Sequence, residues 1–309
     1  MAKSVVIGAN GFIGSHLVDA LVGAGHQVRA FDRFSNGTVN YQAGGVEQLV
    51  GDFLSRADLE AAVAGCDYVF HFLSTTTPAT AEADPTLDLR TNLIQSVELL
   101  DAAAHAGIRH LYLASTGGAI YGQQSKDAFA EDDVTEPVSP YAIGKLAIEN
   151  YLRYYDAKHG LKSTALRISN PYGTRQHPNK KQGLIPIALR QIALGQPVVQ
   201  FGDGSMVRDY IYVEDLVQMI VRMIGKGEEH LVYNLGRGIG HSVAEILAVI
   251  REVVGRDFEI DRRPSPPTFV DRVVLDINRY TSTFGDVDFT SLADGVTRTY
   301  REIESENVN

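Results

Sequence analysis

A tyrosine and a lysine four residues apart, Tyr141 and Lys145, are the side chains whose types and spacing point most directly to chemistry. On a helix that interval stacks both on one face. Ser139-Pro140, just before them, supplies an N-cap hydroxyl and a first-turn proline. An ammonium beside a phenol stabilises the phenolate, so the tyrosine is expected to fall from about 10 towards the working range of a general base. The same spacing recurs at Tyr154 and Lys158. At about 3.6 residues per turn that second pair points to roughly the opposite side, so only one pair can face a shared ligand. Tyr141, at the helix start where the chain returns from a sheet-top loop, is the candidate, and Tyr154 with Lys158 is the solvated control. Upstream, Ser115 and Thr116 open the run Ser115-Thr116-Gly117-Gly118-Ala119-Ile120-Tyr121-Gly122. A hydroxyl at either position, beyond the carboxyl end of a strand, suits a hydrogen bond to a reacting oxygen.

A second set of residues suits a phosphate. Gly8-Ala9-Asn10-Gly11-Phe12-Ile13-Gly14 follows the first apolar run at once and opens a helical pattern. Without Cβ atoms the turn can be tight, a pyrophosphate can approach the backbone, and free N–H groups at the helix start can face its charge. The next strand pattern ends at Asp32, a carboxylate suited to the ribose hydroxyls of an adenosine. Such a carboxylate repels a 2′-phosphate, which favours NAD over NADP, with Arg33 beside it as the opposing feature. A nicotinamide cation would lower the tyrosine further. Gly51-Asp52-Phe53 follows the third strand, and Asp52 reads either as a contact to an adenine amino group or as a solvated loop aspartate.

The elements that must position these groups alternate. Strand patterns cover Ser4 to Ile7, Gln27 to Phe31, Val46 to Val50, Tyr68 to Phe72, Leu111 to Ala114 and Ser163 to Ile168. Helical spacing covers Gly14 to Gly23, Ala57 to Val63, Pro85 to His105 and Pro140 to His159. This is the signature of an α/β chain with a doubly wound parallel sheet. Beyond about Asn170 glycine and proline punctuate the chain more often, with helices at Leu184 to Leu194, Val213 to Ile224 and Ser242 to Val254. A nucleotide-binding domain over 1–170 is therefore expected, with a smaller mixed α/β lobe over 171–309 from which some segments return to the core. The 309 residues, 44% hydrophobic and 21% charged, suit one large core with a dependent lobe. A net charge of -10 argues against nucleic acid or anionic lipid as partner. The lone Cys66 excludes a disulfide framework and reads as a buried thiol in a reducing, cytoplasmic setting. No export signal, membrane span or metal site is expected from the sequence.

Taken together, these motifs resemble the extended short-chain dehydrogenase/reductase family, of the NAD-dependent epimerase/dehydratase type, with closest similarity to UDP-glucose/UDP-galactose 4-epimerases. Gly8-x-x-Gly11-x-x-Gly14, Asp32, Asp52, the stretch from Ser115 to Gly122, Tyr141-x-x-x-Lys145, Arg167-Ile168-Ser169-Asn170-Pro171-Tyr172-Gly173 and Arg208-Asp209-Tyr210 stand in family order, over about residues 4 to 280. The resemblance implies a Rossmann-type sheet and a retained NAD. It implies that Thr116 and Tyr141 hold a sugar 4-hydroxyl and that Lys145 binds the nicotinamide ribose. The cofactor would also meet Phe12, Ile13, Ser35, Asn36, Gly37, Phe53, Phe72, Leu73, Ser74, Asn92, Ser115 and Ile168. A UDP-sugar would meet Asn170, Leu184, Ile185, Phe201, Arg208 and Arg272. The arginine fork of Arg208 suits a pyrophosphate. The implied reaction is a transient oxidation at C4 followed by return of the hydride to the other face. The resemblance also implies a homodimer formed through the helices at 86–106 and 140–159.

Several rival readings differ at named residues. Related 4,6-dehydratases carry an acidic pair after the catalytic threonine, and UDP-glucuronate decarboxylases a nearby glutamate, where this chain has Gly117-Gly118. Epimerase-reductases of the GDP-fucose synthase kind use a cysteine and a histidine, and the single cysteine here stands at 66. UDP-glucuronate 4-epimerases often carry threonine and arginine where Asn170 and His177 occur, His177 reading here as a loop residue. His71-Phe72-Leu73-Ser74-Thr75-Thr76-Thr77-Pro78 departs from the family's usual HxAA pattern, and Arg263 competes with Arg272 as a second pyrophosphate ligand. A silent NAD-binding sensor on the same fold is the reading from a different class; it would be expected to lack the tyrosine, lysine or hydroxyl.

Overall fold

The computed structural model describes residues 2–35, 37–176, 183–226, 230–266 and 270–306, with the backbone of 307. Asn36 and His177 lie outside the described residues. In chain order the first half runs β1 (Lys3–Ile7), α1 (Phe12–Gly23), β2 (Gln27–Asp32), β3 (Glu47–Val50), α2 (Arg56–Val63), β4 (Tyr68–His71), α3 (Pro78–Ala83) and α4 (Pro85–Asp88). A π-helical turn (Leu89–Leu93) leads into α5 (Ile94–His105), β5 (His110–Thr116), α6 (Pro140–His159) and β6 (Ser163–Ile168). Then follow β7 (Asn170–Tyr172), α7 (Leu184–Ala193), β8 (Val198–Phe201), β9 (Val207–Tyr212), α8 (Val213–Met223), β10 (Val232–Leu235), β11 (Gly240–Ser242), α9 (Val243–Val254), β12 (Ile260–Arg263), β13 (Arg272–Val273), α10 (Asn278–Phe284) and α11 (Leu292–Asn307).

Contacts gather the chain into two units. The first takes Met1–Thr116, Pro137–Arg167 and Val217–Tyr233; the second takes Gly117–Glu136, Ile168–Leu216 and Asn234–Asn309. The first is built on a seven-stranded parallel sheet in the order β10-β6-β5-β4-β1-β2-β3. From β1 the chain winds outwards to β2 and β3, then crosses back to β4 and winds the other way. Neighbouring strands therefore diverge at the carboxyl ends of β1 and β4, the crevice where doubly wound sheets take their ligands. Val5 and Ile7 on β1, Phe31 on β2, Val69 on β4 and Leu113 on β5 are sealed in one apolar core, because parallel strands covered by helices on both faces bury both sets of side chains. The six strands read from the sequence hold to within two residues at each end, with β6 and α6 matching to the residue, while the seventh strand, β10, was not read from the sequence. The helix expected from Pro85 to His105 is instead α4, the π turn and α5, preceded by a separate α3.

The second unit has its own core, in which Ile185 and Leu189 of α7, Tyr212 of β9, Ile246 and Ile250 of α9 and Val296 of α11 are buried together. Its four-stranded sheet runs β11-β9-β13 with β7 also paired to β9, and β8 pairs in parallel with β12. Ser242 and Glu245 form the capping box read from the sequence at the start of α9. Among the described residues no helix is long and apolar enough to cross a membrane. Cys66 is a free, buried thiol, pushed up by burial.

Candidate active site

The glycine turn is shaped by close approach. Gly8 takes φ of +89°, and a Cβ there would stand 2.8 Å from the Leu73 amide nitrogen beyond β4. A Cβ on Gly14 would stand 2.0 Å from the Gly8 carbonyl oxygen, so the start of α1 closes onto the turn only because both positions lack side chains. Gly11 is the N-cap of α1 with no side-chain cap, and no acid occupies the first turn, so the end of the helix offers unclaimed N–H groups and positive dipole to an anion. Phe12 and Ile13, its first residues, are half-buried. Asp32 ends β2 with one oxygen accepting from the Asn10 amide at 3.0 Å and the other from the Arg33 amide at 2.7 Å, which fixes the carboxylate beside the turn. This cradle, with its fixed acid, fits a dinucleotide.

Asn10 does more than fill a variable position of the motif. Its side chain donates to the Thr38 carbonyl and accepts from the Asn40 amide, stapling residues 38–40 to the glycine turn. Sequence reasoning missed that staple; the available signal was a side chain with both donor and acceptor inside the turn. Arg33, Ser35 and Gly37 are exposed around it. Asp52 is exposed and accepts from the Leu54 amide at 3.0 Å, while Phe53 is buried with its ring tilted 5.2 Å from that of His71. Phe72 and Leu73 are half-buried, and the Ser74 hydroxyl donates to the Thr76 carbonyl.

Helix α6 carries the tyrosine–lysine pair. Its start is set by Ser139, which accepts from the Ala142 amide, and by Pro140. Its end is set by Gly160 in the left-handed region. Lys145 is buried, donates to the Ala114 carbonyl of β5 at 2.8 Å and holds its Nζ 5.8 Å from the Tyr141 ring centre. Two residues beyond that anchor is Thr116. Among the described residues neither the Tyr141 phenol nor the Thr116 hydroxyl has a hydrogen-bond partner, so both can take a ligand oxygen. Ser115 is different. Its hydroxyl donates to Glu149, whose carboxylate also receives Nε and Nη2 of Arg167 at 3.2 and 2.8 Å, all three being buried. Of the two hydroxyls considered from sequence, Thr116 is thus the one left open.

The electrostatics correct one expectation. Burial first, and then the Asp88 carboxylate, push Tyr141 up to about 12 rather than down. Burial lowers Lys145 to about 8, although Asp88 and Glu149 favour its charged form. Burial and the Asp88 charge, rather than the ammonium, set the direction for the phenol. Asn92, in the π turn, donates to Thr76 and Asp88 and accepts from the Thr75 amide, so its amide is engaged on both sides. His71 is buried with Nε2 2.8 Å from the Ser96 hydroxyl; burial and then Lys145 lower it to about 3, leaving it neutral. Tyr154 and Lys158 lie at the surface as the helical geometry required.

In the second unit, Ile168 is buried and its carbonyl accepts from the Gly117 amide. Asn170 donates to the Asp209 carbonyl at 3.1 Å. Arg208 spends its fork on the carbonyls of Val207, Val270 and Asp271, and burial lowers it. Arg272 donates to the Asp127 carbonyl, whereas Arg263 pairs with Asp261 at the surface. Leu184 is half-buried at the start of α7, Ile185 is sealed in the core of this unit, and Phe201 is 39% exposed. Asp209, named in the Arg208-Asp209-Tyr210 motif but given no role from sequence, is fully buried and accepts from the amides of Arg237, Gly238 and Leu275; burial raises it to about 6.

A doubly wound parallel sheet with a glycine turn, an acid fixed beside it and a half-buried tyrosine next to a buried lysine defines a Rossmann-type, NAD-binding protein. The model of the NAD dependent epimerase/dehydratase family matches residues 4–236, and the chain belongs to that family. It is 32% identical over 303 residues to a UDP-glucose 4-epimerase of Mycolicibacterium smegmatis, covering 96% of this chain and 97% of that one. The solved structure of a UDP-glucose 4-epimerase with UDP-glucose from Thermotoga maritima superimposes with a TM-score of 0.92 at 32% identity, over 99% of this chain and 100% of that one. A UDP-N-acetylglucosamine 4-epimerase from Methanobrevibacter ruminantium M1, in complex with UDP-N-acetylmuramic acid, superimposes with a TM-score of 0.91 at 27% identity over 99% of each chain.

Proposed function

We propose that this protein is a UDP-hexose 4-epimerase that interconverts UDP-glucose and UDP-galactose, or their N-acetyl forms, with NAD retained. The observation that carries the reading is the pair of unpartnered hydroxyls on Tyr141 and Thr116, beside a lysine anchored on β5. In this reading NAD, when bound, supplies a reversible hydride acceptor for C4 of the sugar. The glycine turn takes its pyrophosphate and Asp32 the adenosine ribose. Tyr141 removes the proton of the 4-hydroxyl and later returns it, while Thr116 holds that oxygen in place. Lys145 supplies positive charge that favours the phenolate and a donor for the nicotinamide ribose. Asn170, Arg208 and Arg272 are the groups of the second unit assigned to the nucleotide sugar, which requires Arg208 to exchange carbonyl partners for phosphate oxygens. Gly117-Gly118 places no acid after Thr116, which speaks against an elimination.

A product assay with UDP-glucose, UDP-galactose, UDP-N-acetylglucosamine and UDP-glucuronate tests the substrate. Transient NADH absorbance with a neutral hexose is the expected result; conversion of the uronate alone, or of none, would overturn it. Exposed Ile94, Ile143, Tyr151 and Tyr154, on the mutually packed α5 and α6, support a homodimer, which sedimentation as a monomer would refute. A reducing, cytoplasmic setting accords with the single unpaired thiol.

A further inference from the structure

Asp88 ends α4 as a buried carboxylate, 2% exposed. Its Oδ1 accepts from Thr76 Oγ1 at 2.5 Å and from Asn92 Nδ2 at 2.7 Å, which ties the segment after β4 to the π turn. Its Oδ2 has no hydrogen-bond partner among the described residues and lies against α6, where a Cβ on Gly144 would stand 2.4 Å from it. Gly144 falls three residues after Tyr141 and immediately before Lys145. A glycine inside a helix costs about 1 kcal/mol relative to alanine, so the position is unfavourable locally and is explained by the carboxylate it admits. A purely structural role accounts for Oδ1. It does not account for Oδ2, which makes no hydrogen bond among the described residues and faces Gly144, the residue next to Lys145.

No ion pair compensates Asp88 among the described residues, and the buried cation that its charge favours is Lys145. Other titratable groups around the couple are Glu149 on α6, paired with Arg167 of β6, and neutral His71 on β4. From α3, the π turn and α5, which also pack on α6, come Glu82, Arg90, Glu98 and Asp101, all at least partly exposed. His110 stands at the opposite end of β5 and is held neutral by burial.

We propose that Asp88 is a positioning residue for the proton chemistry of Tyr141: its buried carboxylate keeps Lys145 an ammonium and keeps the phenol protonated until a cation binds beside it. The base is then a set of three side chains rather than two. This rests on the reading of Tyr141 as the base. Removing the negative charge lowers the proton affinity of phenol and ammonium alike, so both limbs of the turnover profile move in the same direction.

The test is the pH dependence of turnover by the NAD-loaded protein with UDP-glucose, or with UDP-N-acetylglucosamine if that is the faster probe. Asp88→Asn is expected to move both limbs to lower pH by about one unit with KM little changed. Asp88→Glu, which restores the charge, should keep the wild-type limbs even if its turnover falls. A profile for Asp88→Asn that is lowered by one constant factor at every pH, or an equal shift in Asp88→Glu, would overturn the proposal. Should Asp88→Asn fail to fold, Gly144→Ala displaces Oδ2 without removing its charge, and unshifted limbs there would also refute it. An inactive Tyr141→Phe with unshifted Asp88→Asn limbs removes only the role of Asp88. An active Tyr141→Phe removes the base itself, and the proposal with it.

Discussion

Helix α6 carries the same two-residue pattern twice, and the two copies behave differently. Tyr141 and Lys145 hold ammonium and ring 5.8 Å apart, and Tyr154 and Lys158 hold them 5.3 Å apart. The local contact is therefore nearly equal. Lys145 is 5% exposed and burial brings it down to about 8, whereas Lys158 stays in water and its hydrogen bond with Tyr154 raises it. Tyr141 is forced up to about 12, while Tyr154 is 48% exposed. Spacing makes the contact, but the surroundings decide whether its protons are poised for transfer or merely solvated. A buried couple whose proton affinities are displaced by desolvation responds strongly to one added or removed charge, and a solvated one hardly does.

The sharpest way to break the comparison is Tyr141→Phe against Tyr154→Phe. The first should lower turnover by about 10² to 10⁴-fold with NAD still bound, and the second should leave it unchanged. Equal losses in steady-state kinetics would show that environment does not separate the pairs. Next in size is the ion pair beneath the buried couple. Glu149→Gln leaves Arg167 uncompensated in the interior and should cost about 3 to 5 kcal/mol in urea unfolding.

A smaller effect concerns His71, an ionisable neighbour of the buried pair. Its ring is held near 3, below the unfolded value of about 6.5, so its stability contribution is full above 6.5 and is lost as pH falls from there towards 3. Each pH unit inside that window should cost about 1.4 kcal/mol, and His71→Gln should remove that part of the acid slope in chemical unfolding. Asp209, raised to about 6, slopes the opposite way, so the effect is read as wild type minus variant. Smallest is Lys158→Ala, expected to leave the thermal unfolding midpoint unchanged. A shifted midpoint would mean that the exposed pair is covered in solution.

Much of this is legible in the amino-acid sequence. The strand Ser163–Ile168 and the helix Pro140–His159 end where apolar periodicity, the Ser139 cap and Gly160 say they must, because those signals act over a single turn of chain. The interrupted helix after Pro78 was not legible in the same way. Its π turn at Leu89–Leu93 places Asn92 among Thr75, Thr76 and Asp88, and one extra residue per turn leaves no mark on a 3.6-residue pattern. Asp88 itself reads as an ordinary helical acid. Its burial against Gly144 depends on a neighbour more than fifty residues away in the sequence.

The order of strands and helices, the glycine turn with its acid, and the tyrosine–lysine interval were determined by the sequence alone, since each follows from local sterics and from which residues can leave water. Which hydroxyl stays free, which of two identical pairs is buried, and which way the phenol's proton affinity moves were decided only by the tertiary structure. Those properties depend on dielectric and charge summed over side chains from β4, α4, β5 and β6, and no single stretch of chain contains that sum.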